Sequence, residues 1–202
     1  MKSLFDHLFA RNNHICPWWL CYTFDNPLRR LIQNPEKILK PFVHEGDTVL
    51  DVGPGMGYFS IPLARFVGEK GRVFAADVQQ EMLNVLRKRA KKAGVEQRVT
   101  LHLCKKESLG LNIKFNFALA FWMAHEVPEQ ETFFKEIRSL MKPNGKFLIS
   151  EPIIHVTKAI CDETIQKAIK AGFVLKSNPS IFLSRSALLV STPTSKNTIG
   201  SI

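Results

Sequence analysis

Three glycines alternate with other residues in a short segment that follows an apolar run. The segment reads V-L-D-V-G-P-G-M-G-Y-F-S over residues 49–60, with glycines at Gly53, Gly55 and Gly57. Glycine is needed where the backbone takes a positive φ or passes close to a ligand. The pattern predicts a buried strand, a tight turn and the N-terminus of a helix, whose unpaired N–H groups attract an electron-rich ligand. It therefore indicates a binding site for a nucleotide-containing cofactor.

The spacing of the glycines separates the cofactor classes that such a turn can bind. Dinucleotide-binding proteins use G-x-G-x-x-G, in which the third glycine lets the helix pack close to the strand. In this chain Tyr58 occupies that third position, and the sequence has no G-x-x-x-x-G-K-[ST] segment for a P-loop. The segment, with the acidic residue Asp51 in it, resembles motif I of the class I S-adenosylmethionine-dependent methyltransferases.

The resemblance implies a cofactor, a product and a set of contacts. The cofactor is S-adenosyl-L-methionine and the product is S-adenosyl-L-homocysteine. In the family, the glycine segment passes beneath the methionine part of the cofactor, which has no phosphate. The resemblance implies that the following residues contact the cofactor: Asp51, Gly53, Pro54, Gly55, Gly57, Tyr58, Phe59, Asp77, Val78, Lys105, Glu107, Phe121 and Trp122.

An acidic residue follows the last residue of the next apolar run. Arg72–Ala76 reads as a short strand that ends at Asp77. Asp77 follows the last glycine at about the ~20-residue offset from which a carboxylate accepts hydrogen bonds from ribose hydroxyls. The alternative is a plain N-cap for the next helix. The upstream glycine segment favours the ribose role.

The residues after the third predicted strand, Val99–Leu103, depart from the family pattern. Many class I methyltransferases have a Gly-Asp-Ala-like step here, whose acid contacts the adenine amino group. This chain has Lys105 where that acid is expected. Two explanations stay open: Glu107 supplies the contact from two positions on, or backbone groups alone bind the adenine.

The apolar run over residues 116–123 predicts a buried parallel strand, and A-H-E-V-P follows it. Functional groups collect at this end of the strands in open α/β sheets. The run lacks the Asn/Asp-Pro-Pro-aromatic motif of base-methylating enzymes and the Pro-Cys of RNA-cytosine enzymes. Its F-W-M-A-H-E-V-P sequence instead resembles small-molecule methyltransferases of the group that includes quinone-biosynthesis enzymes.

Methyl transfer from a sulfonium is an in-line displacement, and it needs a general base only when the nucleophile carries a proton. His125 is the first candidate for this base, since an imidazole titrates near pH ~6.5. Glu126 and Glu151 are second candidates. The alternative role for His125 is a structural hydrogen bond at the end of a strand.

Residues 1–45 precede the glycine segment and are rich in aromatic side chains. An asparagine before a proline occurs twice and predicts two short helices, at about Pro27–Gln33 and Pro35–Phe42. The segment forms either a lid over the site or a cover for the sheet edge, and its tryptophans either line a pocket or belong to the core. We expect substrate contacts from Trp18, Trp19, Tyr22, His125 and Glu151.

The order of elements predicts an α/β protein with the Rossmann-like class I methyltransferase fold. The sheet is expected to have seven mostly parallel strands, one antiparallel strand near the C-terminus, and helices on both faces. Lys146–Ser150 reads as a buried strand, and Phe173–Ser177 and Ser180–Val190 read as the last two strands, antiparallel because their connection is so short. We divide the chain into a lid or cover segment (1–45), a cofactor-binding domain (46–190) and a disordered tail (191–202).

The composition limits the domain organisation and the cellular location that we expect for the protein. The 202 residues suffice for one sizeable domain, and no apolar run approaches the ~20 residues of a membrane span. The four cysteines include no C-x-x-C pair, and the N-terminus lacks the apolar core of a signal peptide, so a reducing, cytoplasmic location is expected. No second ligand pair accompanies His14, Cys16 and Cys21, so we expect no metal site.

The formal charge of +10 keeps a nucleic-acid partner as an alternative, although the densest basic group, 87–92, reads as a solvated helix face. Three functions compete with transfer to a small molecule: an RNA methyltransferase, an NAD(P)-dependent oxidoreductase and a non-catalytic cofactor-binding module. The dehydrogenase is disfavoured by Tyr58 and by the late antiparallel strand. The acceptor and the oligomeric state are not encoded in a recognisable motif.

Overall fold

The computed structural model describes residues 27–192. The expected substrate contacts Trp18, Trp19 and Tyr22 lie outside these residues. So do most of the predicted lid segment and nearly all of the predicted tail. The residues that carry the proposed chemistry all fall within the described part of the chain.

Within residues 27–192, seven strands form one mixed sheet. The strands are β1 (Thr48–Val52), β2 (Arg72–Asp77), β3 (Val99–Leu103), β4 (Phe115–Phe121), β5 (Met141–Pro152), β6 (Phe173–Ser177) and β7 (Ser184–Ser191). Their order across the sheet is β3-β2-β1-β4-β5-β7-β6. Strands β1 to β5 pair in parallel, and β7 is antiparallel to both of its neighbours. The predicted seven-stranded sheet with one antiparallel strand near the C-terminus is therefore confirmed.

Helices cover both faces of the sheet because successive strand residues point to opposite sides. The helices are α1 (Pro27–Ile32), α2 (Pro35–Leu39), α3 (Ser60–Phe66), α4 (Gln80–Lys92), α5 (Gln130–Leu140) and α6 (Lys158–Lys170), with short 3-10 turns at Glu96–Arg98 and Ala124–Glu126. In β1, Leu50 packs in the cluster that contains α5, whereas Val49 packs in the cluster that contains α2 and α3. None of the helices between residues 27 and 192 is long and apolar enough to cross a membrane.

Local capping explains where two of the helices begin. The side chain of Asn34 accepts a hydrogen bond from the Lys37 N–H at 3.2 Å, as expected for an asparagine before a proline. The Thr157 hydroxyl accepts one from the Ile160 N–H at 3.3 Å at the start of α6. The helices predicted ahead of the glycine segment are both present, although each ends before its predicted residue.

Three strand boundaries differ from the sequence prediction. β4 ends at Phe121 rather than residue 123, because Trp122 takes a φ of +60°. β5 is longer than predicted, because the Pro-Asn-Gly turn becomes an irregularity inside the strand, with Asn144 at φ +60°. β7 begins at Ser184 rather than Ser180, because its N–H bonds to the Ile181 carbonyl in a turn at 3.0 Å.

Candidate active site

A cavity of about 590 Å³ opens at the carboxyl ends of β1, β2 and β4. The chain leaves β1 toward β2 and β3 on one side and returns to β4 on the other, so this is the switch point of the sheet. Ligands of open α/β sheets bind in this crevice. Most of the cofactor contacts that the resemblance implies line this cavity. They are Asp51, Gly53, Pro54, Gly55, Tyr58, Phe59, Asp77, Val78, Lys105, Glu107, Phe121 and Trp122.

The three glycines of the turn have different roles. All three have positive φ, but a Cβ at Gly57 would lie 2.2 Å from Leu86 Cδ1, inside the helix–sheet packing. A Cβ at Gly53 would lie 3.0 Å from Met123 Cγ. A Cβ at Gly55 would meet nothing within 4 Å. Gly55 is therefore the position of close approach to the cavity, whereas Gly57, which is not among the lining residues, permits α4 to pack.

Asp51 is a buried carboxylic acid at the end of β1, with an exposure of 2%. Its Oδ2 accepts a hydrogen bond from the Ser60 hydroxyl at 2.6 Å. Burial raises its pKa to about 7, the Ser60 hydrogen bond acts in the opposite direction, and the nearby charge of Asp77 raises the pKa further. The group thus exchanges a proton in the neutral range when the cavity holds no compensating charge.

Asp77 lies at the end of β2, beside the glycine turn. Its Oδ1 accepts a hydrogen bond from the Gln79 N–H at 2.9 Å. Burial raises its pKa to about 6, against the backbone N–H groups of Gln79, Gly55 and Val78, which lower it. The N-cap of α4 is Gln79 rather than Asp77, so the side chain lies in the cavity wall as the strand ends.

A turn after β3 forms the next wall, where the sequence left the adenine contact open. The Lys105 N–H bonds to the Ser108 carbonyl at 3.1 Å, and both Lys105 and Glu107 line the cavity. The following residues are held by Glu136, which accepts hydrogen bonds from the Leu109 and Gly110 N–H groups, each at 3.0 Å. The turn therefore has a fixed backbone, and Glu136 is a support that the sequence pattern did not reveal.

Arg29 of α1 enters the same cavity among four aromatic rings. Its guanidinium carbon lies 4.2 Å from the ring centroid of Tyr58 and 4.8 Å from that of Trp122. Phe121 and Phe59 complete the group at 5.7 Å and 5.9 Å. Aromatic faces attract cations electrostatically. Arg29 was not predicted from the sequence, because no motif marks it.

His125 and Glu151 form a hydrogen-bonded pair behind the cavity surface. The Glu151 side chain is fully buried, and its Oε2 lies 2.5 Å from His125 Nδ1. The backbone N–H of His125 donates to Glu151 Oε1 at 3.1 Å. Glu126 Oε1 lies farther off, 3.9 Å from His125 Nε2. Of the three candidates, His125 and Glu126 line the cavity, while Glu151 supports His125 from within the sheet.

A second histidine contacts the first. His155 Nε2 lies 3.1 Å from His125 Nε2, and the two rings meet edge to face at a centroid distance of 4.9 Å. Burial, followed by the charge of His125, lowers the pKa of His155 from its ordinary value. His155 was not among the residues predicted from the sequence. Its position four residues after Glu151, beyond the end of a parallel strand, was the available signal.

The fold and this cavity define a class I methyltransferase. A family model described as a methyltransferase domain matches residues 43–185, and the chain belongs to that family. The match spans the sheet from just before β1 into β7. The suspected family is therefore confirmed.

Two curated relatives and one solved structure show how far the similarity extends. The ubiquinone/menaquinone biosynthesis C-methyltransferases UbiE of Photorhabdus laumondii and Escherichia fergusonii are 30% and 31% identical over 110 and 116 residues. These regions cover 54% and 55% of this chain, but only 44% and 46% of the relatives, so the chain spans less than half of their length. A crystal structure of a SAM-dependent methyltransferase from Aquifex aeolicus superposes with a TM-score of 0.78 at 27% identity, covering 87% of this chain and 99% of that one.

S-adenosyl-L-methionine is the cofactor of this class, and the chemistry of the cavity walls fits it. Asp51 and Asp77 place two carboxyl groups beside the glycine turn, where the pyrophosphate of a dinucleotide would meet like charge. A sulfonium amino acid is cationic and suits the two carboxyl groups, while the aromatic rings hold the Arg29 guanidinium. The open space at Gly55 leaves room for a ligand against the backbone.

Proposed function

We propose that this chain transfers a methyl group from S-adenosyl-L-methionine to a small-molecule acceptor whose reacting atom carries a removable hydrogen. The pairing of Glu151 with His125 in the wall of the cofactor cavity supports this most directly. A methyltransferase whose acceptor has no proton to lose does not need a buried carboxylate–histidine pair. The pair therefore favours an acceptor with an O–H, N–H or acidic C–H group.

Three parts of the cavity would hold the cofactor. The turn at Gly53–Gly55 would hold its methionine part, Asp77 would accept hydrogen bonds from its ribose hydroxyls, and the turn at Lys105–Ser108 would hold its adenine, since all three line the cavity. When bound, the cofactor supplies an electrophilic methyl group on a sulfonium. Tyr58 and Trp122, with the Arg29 guanidinium against their rings, line the same cavity.

His125 would act as the general base, and Glu151 would position it. An ionised Glu151 only accepts hydrogen bonds, so its contact places the hydrogen of neutral His125 on Nδ1 and leaves Nε2 as the basic atom. When Nε2 takes the acceptor's proton, the carboxylate stabilises the imidazolium. Such proton transfer contributes about 10²–10⁴-fold to a rate, in addition to what the alignment of the reactants provides.

The acceptor would meet both apolar and polar side chains of the cavity. Val127, Phe133, Pro152 and Ile154 line it together with the two histidines and the acidic residues Glu126, Glu129 and Glu136. This composition suits a compact molecule with an apolar part and one polar reacting group. The curated relatives are named for C-methylation in ubiquinone/menaquinone biosynthesis, which supports an acceptor of this kind.

We also propose a cytoplasmic location, supported by the cysteines. Cys104 and Cys161, the cysteines within residues 27–192, are both free thiols. Free thiols are typical of a reducing compartment. Burial raises the pKa of each to about 11, which keeps them protonated and unreactive.

Calorimetric titration and a labelling assay test the proposed function. S-adenosyl-L-homocysteine should bind and NADH should not. Radiolabelled methyl from the cofactor should enter 1,4-naphthoquinol or a substituted phenol rather than total tRNA. His125→Gln should retain cofactor affinity and lose transfer, whereas His44→Gln, at an exposed histidine outside the cavity, should change neither. Binding of NADH alone, or label confined to tRNA, would contradict the proposal.

A further inference from the structure

We propose that His155 is the outer member of a proton relay that carries the acceptor's proton from His125 to water. The inference depends on the proposed role of His125 as the base. Three side chains lead from the core to the surface: Glu151 is fully buried, His125 is 15% exposed, and His155 is exposed. A base this enclosed must lose a proton after every turnover, and His155 lies on its route to solvent.

The hydrogen bond between the two histidines can point in either direction. Glu151 fixes the hydrogen of neutral His125 on Nδ1, so His125 Nε2 is an acceptor and the 3.1 Å contact requires an Nε2–H on His155. Once His125 is protonated, its Nε2–H is a donor. The same contact then requires His155 to present Nε2 as the acceptor, with its own hydrogen on Nδ1. One pair of atoms therefore serves both protonation states.

The relay closes into a cycle without any added reactant. While the acceptor occupies His125 Nε2, the exposed His155 exchanges with water and takes the Nδ1–H tautomer. The acceptor's X–H bond breaks, its electron pair stays on X, and the proton forms an N–H bond at His125 Nε2. After the product leaves, that proton moves to His155 Nε2, and His155 releases its Nδ1 proton to water. His155 is then left with Nε2–H, the form that donates to neutral His125.

The surrounding charges make the transfer from His125 to His155 uphill and the release from His155 to water downhill. Glu126 and Glu151 face His125 and stabilise its cationic form. Burial and the charge of His125 lower the pKa of His155, so a proton that reaches it passes readily to water. Arg185 is the register partner of Glu151 in the neighbouring strand, and its side chain donates to the Val156 carbonyl at 2.8 Å. Helix α6 contributes the titratable groups Lys158, Cys161, Asp162, Glu163, Lys167 and Lys170.

Exchange of the His125 ring protons with water measures the relay without an acceptor. The full chain, labelled with ¹⁵N-histidine and saturated with S-adenosyl-L-homocysteine, would be followed by NMR across the titration of His125. In His155→Gln the amide can donate to His125 Nε2 but cannot pass a proton on. The ring protons of protonated His125 should then exchange with water more slowly by about tenfold or more, as expected when a proton-transfer partner is lost. His44→Gln should leave it unchanged.

Further measurements separate a relay from a purely structural contact. Added imidazole should restore fast exchange in His155→Ala, because a free imidazole can replace the missing ring. Unchanged exchange in both His155→Gln and His155→Asn, with the cofactor product still bound by calorimetry, would overturn the relay and leave the proposed function intact. If the wild-type chain does not bind S-adenosyl-L-homocysteine, the proposed function itself fails.

Discussion

Alanine at Gly57 and alanine at Gly55 should damage different properties of the protein. At Gly57 the backbone has φ +89°, and the new Cβ would lie 2.2 Å from Leu86 Cδ1, a side chain with no exposed surface. Left-handed backbone costs a non-glycine residue about 1–2 kcal/mol, and overpacking of a core costs about 1–3 kcal/mol. We therefore expect Gly57→Ala to lower the free energy of unfolding by about 2–5 kcal/mol.

Gly55→Ala shares the backbone cost but not the collision. Its φ is +52°, and no atom lies within 4 Å of the position that the new Cβ would take on the cavity side. The loss of folding stability should be limited to about 1–2 kcal/mol. The methyl group should instead occupy space that the cofactor needs, weakening S-adenosyl-L-homocysteine by about tenfold or more, which corresponds to ~1.4 kcal/mol.

Urea unfolding followed by circular dichroism gives the stability of each variant, and titration calorimetry gives its affinity for S-adenosyl-L-homocysteine. Gly57→Ala should bind within about twofold of wild type at a temperature where it is folded, a difference well under the ~1.4 kcal/mol of a tenfold change. The assigned roles would be refuted by equal losses of stability in the two variants. They would also be refuted by Gly55→Ala binding as tightly as wild type.

Three acidic residues give further predictions. Asp51 has a folded pKa of about 7, above its unfolded value, so the stability it contributes is present below pH ~4 and is lost as the pH rises through 7. Asp51→Asn, which keeps an oxygen for Ser60, should match wild type near pH 4 and exceed it by about 1–3 kcal/mol at pH 8 in urea unfolding without ligand. Asp77→Asn should weaken S-adenosyl-L-homocysteine by about tenfold or more in calorimetry, because an amide cannot accept from both ribose hydroxyls; unchanged affinity would argue against ribose contact. Glu151→Gln should lower the single-turnover rate by about 10²-fold or more, with cofactor affinity retained, because the amide disfavours the Nδ1–H form of His125; a rate equal to wild type would remove Glu151 from the mechanism.

The parts of the fold that the sequence predicts correctly are those with local signals. The glycine turn, Asp77 at the end of β2 and the helix cap at Asn34 each depend on a few neighbouring residues.

The parts that the sequence could not reveal are contacts made across the sheet. Arg29 reaches Tyr58 and Trp122 only because α1 packs beside the glycine turn. Glu136 supports the turn at residues 108–110 from a different helix, α5. No spacing rule links such pairs, because their distance along the chain is set by tertiary packing.

Trp122 shows how a departure from the sequence pattern builds the site. A pattern of apolar residues predicts that β4 continues to residue 123, yet Trp122 has a φ of +60°, which costs a bulky residue about 1–3 kcal/mol. Its backbone N–H bonds to the Ser150 carbonyl at 2.7 Å and its indole N–H to the Ser184 hydroxyl at 2.9 Å, so β5 and β7 hold the strained conformation. The chain then turns at Ala124–Glu126, where the backbone N–H of His125 meets Glu151. The strain is thus tolerated where it directs the histidine onto the buried carboxylate, and an unbroken β4 would carry His125 past it.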